Sequence, residues 1–262
     1  MSSAVAEVEQ MREESLRVPG SGVGSLESTM IEGNAANHRV AVAQRSPLFS
    51  NVPLSVCREI VAAAHEKQYS RRQTIFLEGD PVRHIILLLS GCVKTLQFGQ
   101  NGSEVILRLA GAGELVGAIG TSTPGQHCSM ARALSACTAL VWDAQAFEAA
   151  AERFPILRRN TMQILSKRLH EMEERYREIS TERVAGRLSR QLVRLLDQVG
   201  TEVDGVRVVC LSREELAQLT GTTLFTVSRL LSDWDERGIV STRREAVSVN
   251  DLEALRGLGE SE

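Results

Sequence analysis

The segment from Leu211 to Leu231 constrains the fold of this chain most, because it carries the pattern of a helix-turn-helix. Ser212 can cap a first helix, and Glu215 three residues later completes a capping box. Gly221 stands where the chain must turn sharply, with a positive backbone angle that a side chain would oppose. Thr223 can then cap a second helix. The predicted buried stripe of the two helices is Leu216, Ala217, Leu219, Val227, Leu230, Leu231 and Trp234.

Such a pair of helices places the second one in the major groove of DNA, with its N-terminal residues at the base edges. An ordinary helical hairpin is the alternative reading of this segment alone. Farther along, residues 239–242 and 246–249 read as two short strands around Arg243-Arg244-Glu245. The predicted DNA-binding unit is therefore winged.

Composition sets outer limits on the chain. Its 262 residues, 43% of them hydrophobic, suffice for two modest domains. The net charge of −3 is unusual for a nucleic-acid binder, so the local distribution of charge must decide. No apolar run has the length of a membrane span or a secretion signal, which predicts a cytoplasmic protein without a membrane partner. Five scattered cysteines without a C-x2-C pair predict neither a zinc site nor a disulfide framework.

The pattern of residues divides the chain into four parts. Residues 1–46, rich in Ser, Gly, Glu and Ala, are predicted to be a flexible tail that has at most a short helix. Residues 47–153 begin with a predicted helix from Leu54 to Glu66. Short β segments separated by glycine turns follow, which predicts a small antiparallel barrel or jelly roll acting as a sensor domain.

Residues 154–180 are predicted to form one long helix, because Pro155 suits a first turn and no glycine follows before Ile179. The helix carries apolar residues at a 3,4,3,4,3 spacing, which is a heptad seam typical of a homodimer. Packing against the chain's own barrel is the alternative. Ser180 and Thr181 are predicted to interrupt the helix, with Thr181 capping the next one and residues 181–262 forming the DNA-binding domain. The predicted dimer residues are Met162, Leu165, Leu169, Met172, Tyr176 and Ile179.

Five segments stand in a recognisable order along the chain: Ile75–Asp80, Leu88–Val93, Gly113–Gly117, Thr226–Leu231 and Gly238–Val240. Together with the order of barrel, long helix, hinge and winged helix-turn-helix, they resemble the CRP/FNR family of bacterial transcription regulators, the cyclic-AMP receptor protein and its relatives. The resemblance covers about residues 47–250 and implies an α+β fold: a cyclic-nucleotide-binding-like β-barrel or jelly roll, a dimerisation helix and a C-terminal winged helix-turn-helix. It also implies a homodimeric regulator, not an enzyme, that binds palindromic double-stranded DNA and has RNA polymerase as a further partner.

The resemblance also implies which residues contact DNA. Arg229 is the candidate for a bidentate contact to guanine, with an ion pair to Asp233 as its alternative role. Phe225 stands where many members carry a Glu that reads cytosine, so we expect packing on a thymine methyl and a changed half-site. The remaining candidates are Thr222, Thr223, Leu224 and Ser228 on the second helix, Arg213 before it, and Arg243 and Arg244 in the wing.

The departures from the family pattern concern the effector. Ala118 replaces the Glu that holds the ribose, and the phosphate-clamping Arg-Ser pair is missing around Cys128, with Arg132 about three residues late. Cyclic AMP binding in the familiar mode is therefore not expected, because a buried phosphate needs charge and hydrogen bonds. The N-terminal tail has no cysteine, so an iron–sulfur cluster is not expected either. The effector pocket is predicted around Gly117, Ala118, Ile119 and Arg132.

Several alternatives remain open at this stage. Haem could be held by His84, His127 or Cys128, and a thiol switch could use Cys128 or Cys137. A small apolar or acidic metabolite, or no ligand at all, is the other option. No phosphate loop, nucleophile elbow or metal-spaced histidine group indicates an enzyme. Leu224 and Phe225 form an apolar pair on the surface predicted to contact DNA. Such a pair also fits a protein-interaction module that has lost DNA binding.

Overall fold

The computed structural model of the chain describes residues 37–117 and 125–260. A short 3-10 helix at Pro47–Phe49 precedes the second α-helix. The α-helices are α1 (37–45), α2 (Leu54–Ala62), α3 (Ala144–Arg153), α4 (Pro155–Thr181), α5 (Val184–Val199), α6 (Arg213–Thr220), α7 (Leu224–Glu236) and α8 (Leu252–Glu260). The strands are β1 (His65–Tyr69), β2 (Thr74–Phe76), β3 (His84–Ser90), β4 (Val93–Phe98), β5 (Glu104–Ala110), β6 (Leu115–Val116), β7 (Met130–Ala133), β8 (Cys137–Asp143), β9 (Thr201–Val203), β10 (Val206–Val209), β11 (Val240–Arg243) and β12 (Ala246–Val249).

The first eight strands form a sandwich of two antiparallel sheets, with strand orders β1-β8-β3-β6 and β2-β7-β4-β5. This order is the one produced by an eight-stranded jelly roll. The two sheets are not closed into a barrel, so of the two predicted architectures the barrel is wrong. We call this part, together with the helices packed on it up to Arg153, the sandwich domain.

Strand β3 shows why the sandwich has two cores. Its central residues are buried on both faces. Ile85, Leu87 and Leu89 pack with the flanking helices, whereas Ile86 and Leu88 face the other sheet. Because alternate residues of a strand point to opposite faces, the sequence HIILLLS fills both layers at once.

The helix predicted over residues 54–66 is too long. Helix α2 ends at Ala62, and His65 begins β1, which pairs in register with β8. Residues 65–69 carry only one buried side chain, Tyr69, so their sequence lacks the apolar alternation that reveals a strand. Pairing with β8 decides their conformation instead.

The predicted boundary at residue 46 also needs correction. Residues 1–36 of the predicted tail lie outside the described residues, but residues 37–45 are helical. Ala43 is fully buried in the same core as Leu48 and Phe49. The sandwich domain therefore includes the second half of α1.

Helix α4 has two different faces. One face packs on the sandwich domain through Leu157 and Asn160, and the Asn160 amide donates to the carbonyls of Leu48 and Ser50, both at 2.8 Å. The other face carries the six seam residues, all of them exposed. The apolar stripe therefore does not pack on the sandwich domain, which was the alternative prediction for it.

The break between α4 and α5 lies slightly later than predicted. Thr181 still belongs to α4, where its hydroxyl donates to the Arg177 carbonyl at 2.8 Å. It does not cap α5, which begins at Val184 after the extended residues Glu182 and Arg183. The predicted Thr181 cap is therefore wrong, since a Thr within a helix can bond to the carbonyl four residues earlier.

Ion pairs hold the C-terminal domain to the end of α4. The Glu178 carboxylate accepts two hydrogen bonds of 2.7 Å from Arg194 of α5. Burial by itself raises the pKa of Glu178. The two hydrogen bonds and the charges of Arg194, Arg190 and Arg177 lower it by more, so the pKa lies below its usual value. The carboxylate therefore stays ionised at neutral pH and joins the end of α4 to α5.

The C-terminal domain combines four helices with a sheet of order β11-β12-β10-β9. Residues 200–205, which the sequence predicts as a loop, include strand β9 paired with β10. Helix α8 was not predicted from the sequence. It is attached to α5 by a hydrogen bond from the buried Ser189 hydroxyl to the Leu255 carbonyl.

Strand β5 joins the two domains through a shared apolar core. Ile106 and Leu109 are buried in the same cluster as Leu192, Leu216 and other residues of the C-terminal domain. The Gln198 amide of α5 donates to the Leu109 carbonyl at 2.8 Å. The C-terminal domain is therefore packed on the outer face of the sheet that contains β5.

Candidate DNA-binding surface and sensor pocket

The turn between α6 and α7 has the predicted geometry. The Ser212 hydroxyl accepts from the Glu215 amide at 3.2 Å, and the Glu215 carboxylate accepts from the Ser212 amide at 2.8 Å. Gly221 ends α6 in the left-handed conformation, with φ 62°. Thr223 caps α7, where its hydroxyl accepts from the Thr226 amide at 3.2 Å. The capping box, the glycine turn and the second cap are all confirmed.

The predicted buried stripe holds the two helices together. Leu216, Leu219 and Val227 are buried, together with Leu231 and Trp234. Leu230 is only partly buried at the edge of this cluster. Because these residues fill the inner side, the N-terminal half of α7 can present its other side to solvent.

The outer side of α7 exposes the predicted reading residues. Leu224 and Phe225 expose 51% and 77% of their surface, and Arg229 is exposed. Ser228 and Thr222 are half-buried. We call Thr222, Thr223, Leu224, Phe225, Ser228 and Arg229 the reading face.

Arg229 does not form the ion pair considered for it. Asp233 instead pairs with Arg237 at 3.3 Å, and within the described residues Arg229 has no hydrogen bond or ion pair. Its guanidinium is therefore available for a planar acceptor such as a guanine edge.

The wing is the hairpin of β11 and β12, with Arg244 and Glu245 at its turn. Arg243 and Arg244 are exposed. Glu245 pairs with Arg71, in the turn after β1, at 2.7 Å. This contact ties the tip of the wing to the sandwich domain.

Arg213 has a structural role that sequence reasoning missed. Its guanidinium donates to the Thr242 hydroxyl at 3.1 Å, and that hydroxyl donates to the Asp235 carboxylate at 2.8 Å. The three residues link α6, the wing and the end of α7. Neither Thr242 nor Asp235 stands out in the sequence, because each is an ordinary polar residue until the fold brings the three elements together.

The seam of α4 is a row of exposed apolar side chains along one helix. Met162, Met172 and Tyr176 expose 65%, 63% and 75% of their surface. Leu165, Leu169 and Ile179 are exposed as well. A stripe this apolar is typical of a covered interface.

The structure describes two of the four residues predicted for the effector pocket, Gly117 and Arg132. Ala118 and Ile119 lie outside the described residues. Gly117 has φ 77°, and a Cβ on it would lie 2.4 Å from Phe76 Cζ, so close packing requires glycine here. Arg132 lies on the opposite face of its sheet from Ala131, beside the Glu104 carboxylate at 3.5 Å. Its prediction as a pocket residue is corrected, because alternation along β7 turns its side chain away from the sandwich interior.

The sandwich domain contains a cavity of about 360 Å³ at one end of its two sheets. Two of the three haem candidates, His127 and His84, line it, whereas Cys128 does not. The His127 ring is stacked on Phe76 with centroids 3.5 Å apart. Burial lowers the pKa of His127, opposed by the charge of Asp80. The imidazole is therefore neutral at neutral pH.

The two thiols considered for a switch differ in environment. Cys137 is buried, with its Sγ 3.1 Å from the Ser135 carbonyl and 3.3 Å from that of Cys92. Cys128 is exposed. Among residues 37–117 and 125–260, no group of three or more His, Cys, Asp or Glu side chains is arranged to hold a metal ion. The helices of the same residues include none that is long and apolar enough to span a membrane.

Arg168 connects α4 to the end of β6. Its guanidinium donates to the carbonyls of Leu115 and Gly117, the latter at 2.8 Å. Burial, together with the nearby charge of Arg108, lowers the pKa of Arg168 to about 9. It is still a cation at neutral pH and holds Gly117 against α4.

Comparison with known sequences identifies both domains. Residues 66–154 match the cyclic nucleotide-binding domain, and residues 186–258 match the Crp-like helix-turn-helix domain. The chain is 27% identical over 213 residues to the CRP-like cAMP-activated global transcriptional regulator of Mycobacterium tuberculosis, covering 80% of this chain and 95% of that protein. It is 29% identical over 192 residues to the global nitrogen regulator of Synechocystis, covering 71% and 85% respectively.

Solved structures show the same fold. FixK2 from Bradyrhizobium japonicum matches with a TM-score of 0.66 at 21% identity, over 74% of this chain and 96% of that one. A CRP/FNR-family transcriptional regulator from Thermus thermophilus matches with a TM-score of 0.62 at 20% identity, over 75% and 98%. The relatives are transcription regulators and not enzymes. With both domains matched in the observed order, the chain belongs to the CRP/FNR family of transcription regulators, and its C-terminal domain is the DNA-binding helix-turn-helix domain of that family.

Proposed function

We propose that this protein acts in the cytoplasm as a homodimer on palindromic DNA sites, with RNA polymerase as a further partner. The observation that carries the proposal is the exposed apolar seam on α4, which lies outside the face that packs on the sandwich domain. A second copy covers such a seam through coiled-coil packing. Two copies related by a twofold axis then present two reading faces about 34 Å apart, which requires a palindromic site.

The reading face supports specific recognition in the major groove. Arg229 has no competing partner among the described residues and offers two parallel donors to guanine N7 and O6, worth about 1–3 kcal/mol of discrimination. Thr222 and Thr223 lie at the start of α7, where hydroxyls and backbone amides favour phosphate oxygens. Arg243 and Arg244 in the wing add contacts to the DNA backbone. Arg213 can add such a contact only by breaking its hydrogen bond to Thr242.

We further propose that the sensor does not bind cyclic AMP in the manner of the cyclic-AMP-binding members. Cys128 and Ser129 occupy the region of the missing Arg-Ser pair, and the nearby Arg132 is held at Glu104 on the outer face. A cyclic phosphate would therefore lack a buried cation at this place.

Substituting Leu169 by glutamate tests the homodimer and the palindrome together. The new carboxylates would face each other across the seam, so we expect a monomer by analytical ultracentrifugation. Because two half-sites are bound by one dimer, the same variant should lose most of its affinity for a palindromic fragment, by about a hundredfold or more, while keeping weak non-specific binding.

Gln163→Glu is the matched control, since it adds the same charge to an exposed position of α4 outside the seam. It should remain dimeric and bind DNA like the wild type. A wild-type protein that is monomeric, or a Leu169→Glu variant that is still dimeric, would refute the proposed interface.

A second candidate function is a protein-interaction module that has lost specific DNA binding. The exposed pair Leu224 and Phe225 favours it, because apolar side chains on a reading face also suit a protein partner. Selection of bound fragments from a random DNA pool separates the two functions. Enrichment of a palindrome supports the regulator, whereas the absence of any enriched sequence at low salt supports the module.

A further inference from the structure

The cavity of the sandwich domain has an apolar floor. Tyr69, Phe76, Ile86 and Val141 line it, and all four belong to the buried core between the two sheets. Its volume of about 360 Å³ falls within the range typical of sites for small organic molecules. The floor therefore suits an apolar or aromatic body.

The rim of the same cavity is cationic. Lys67 and Arg83 are exposed there, beside the exposed His65 and His84. Asp80 is the acidic residue of this rim, and its carboxylate already accepts the Leu77 amide at 2.8 Å. Within the described residues, Arg83 and Lys67 form no ion pair, so the rim has an unbalanced positive charge.

His127 supplies an unpaired polar group in the wall. Its side chain is 6% exposed, and Nδ1 is buried without a hydrogen-bond partner in the described part of the chain. Nε2 has no hydrogen bond there either. Buried polar nitrogens are nearly always paired in folded proteins, so the imidazole in this wall needs a polar partner, which a water or a ligand can supply.

We propose that this cavity binds a small organic acid: its apolar body lies on Tyr69 and Phe76, and its carboxylate or phosphate group lies between Lys67 and Arg83. The proposal names the effector class of the regulator proposed above and rests on that function only for its link to DNA. The site does not include Cys128 or Ser129, where the phosphate clamp of cyclic-AMP-binding members is missing.

A ligand here has a short mechanical link to the dimer helix. Phe76 and His127 both lie against Gly117, at 2.4 Å and 3.2 Å from the position of an added Cβ. The Gly117 carbonyl accepts from Arg168 of α4. A shift of the stacked rings therefore acts on a residue that α4 holds directly.

Calorimetric titration of the full-length protein with benzoate and phenyl phosphate tests the site. Benzyl alcohol, which has the same ring without the charge, and inorganic phosphate, which has the charge without the ring, are the comparisons. We expect benzoate, phenyl phosphate or both to bind once per chain, and each comparison compound at least about tenfold more weakly. Which of the two acids binds more tightly distinguishes a carboxylate ligand from a phosphate ester.

The double variant Lys67→Gln/Arg83→Gln should weaken binding of the acid by about tenfold or more, because both exposed rim cations are removed. Arg58→Gln, an exposed arginine on α2 away from the cavity, should change nothing. Equal binding of benzyl alcohol by the wild-type protein, unchanged binding by the double variant, or no binding of either acid would overturn the proposal.

The link to DNA is measured separately. The acid that binds should change the affinity for a selected DNA fragment in the wild type but not in the double variant. Since calorimetry needs no DNA, failure to bind any fragment would refute the proposed function and leave the ligand site standing. Acid binding without a change in DNA affinity would refute its role as the effector.

Discussion

Phe225 is unusually exposed for an aromatic side chain. It exposes 77% of its surface, although burial of such a side chain is worth about 1.5–3 kcal/mol. Its position at the second residue of α7 places it where base edges are read. A phenyl ring cannot accept the hydrogen bond of a cytosine amino group, but it can pack on a thymine methyl. We therefore expect DNA to cover the exposed ring.

Phe225→Glu should change the selected half-site at one position from thymine to cytosine, with about 1–3 kcal/mol of discrimination. Sequencing of DNA selected from a random pool measures this preference. Phe225→Ala, which removes the ring without adding an acceptor, should lose the thymine preference and gain none for cytosine. An identical consensus for wild type and Phe225→Glu would show that this residue does not read a base.

His127 makes the stability of the sandwich domain depend on pH. Because burial lowers its pKa in the folded state, the unfolded chain binds more protons at acid pH. Above the unfolded pKa of about 6.5 the imidazole is neutral in both states and does not lower the free energy of unfolding. As the pH falls below that value, the folded state loses stability. Protonation would place a charge against the Phe76 ring in a buried wall.

Comparison of urea unfolding at pH 7.5 and pH 5.5 should show a larger loss of stability for the wild type than for His127→Gln. The glutamine variant removes the titrating group but keeps a polar side chain. His170→Gln, at an exposed position of α4, should keep the wild-type difference between the two pH values. Equal differences for wild type and His127→Gln would mean that His127 is protonated alike in both states.

The turn between α6 and α7 depends on one backbone conformation. A Cβ on Gly221 would meet Ile179 Cδ1 at 3.7 Å, which is an ordinary contact, so space does not exclude a side chain. The backbone conformation opposes a side chain instead. At a φ of 62° an L-residue lies in the left-handed region, where it has strain of about 1 kcal/mol.

Gly221→Ala should therefore lower the free energy of unfolding by about 1 kcal/mol, measured by urea denaturation. Gly221→Asn should lose less, since asparagine tolerates this conformation better. The same loss for both variants would indicate a steric cause instead of a conformational one.

At the scale of elements, the sequence predicts what local rules specify. The capping box at Ser212, the left-handed Gly221 and the period of α4 all follow from short-range patterns, and each is found. The start of strand β1 was predicted as helix, because the conformation of this strand comes from pairing with the distant strand β8. The reading face was predicted from helix position, and its contact with DNA stays a prediction. The Arg213–Thr242–Asp235 network needs three elements in contact and leaves no local signal.

At the scale of the molecule, the shared core couples the two domains. Ile106 is 2% exposed and lies in the cluster of the C-terminal domain. Ile106→Ala should lower the free energy of unfolding by about 2–5 kcal/mol, because it removes part of the contact between β5 and α6. We expect the thermal unfolding of this variant to separate into two transitions where the wild type shows one.

Leu107→Ala changes the neighbouring residue of β5, which is 40% exposed, and should leave a single transition. Scanning calorimetry distinguishes the outcomes. Two transitions in the wild type itself would show that the two domains unfold independently despite their common core.

The common core also limits how freely such a protein can be recombined. A winged domain cut out after α4 would carry an open apolar surface where Ile106 and Leu109 now lie, and would tend to aggregate. Grafting it onto another sensor would succeed only if the acceptor's edge strand offered two matching side chains. Strand β5 thus belongs to both modules, and evolution can exchange either one only by changing this strand as well.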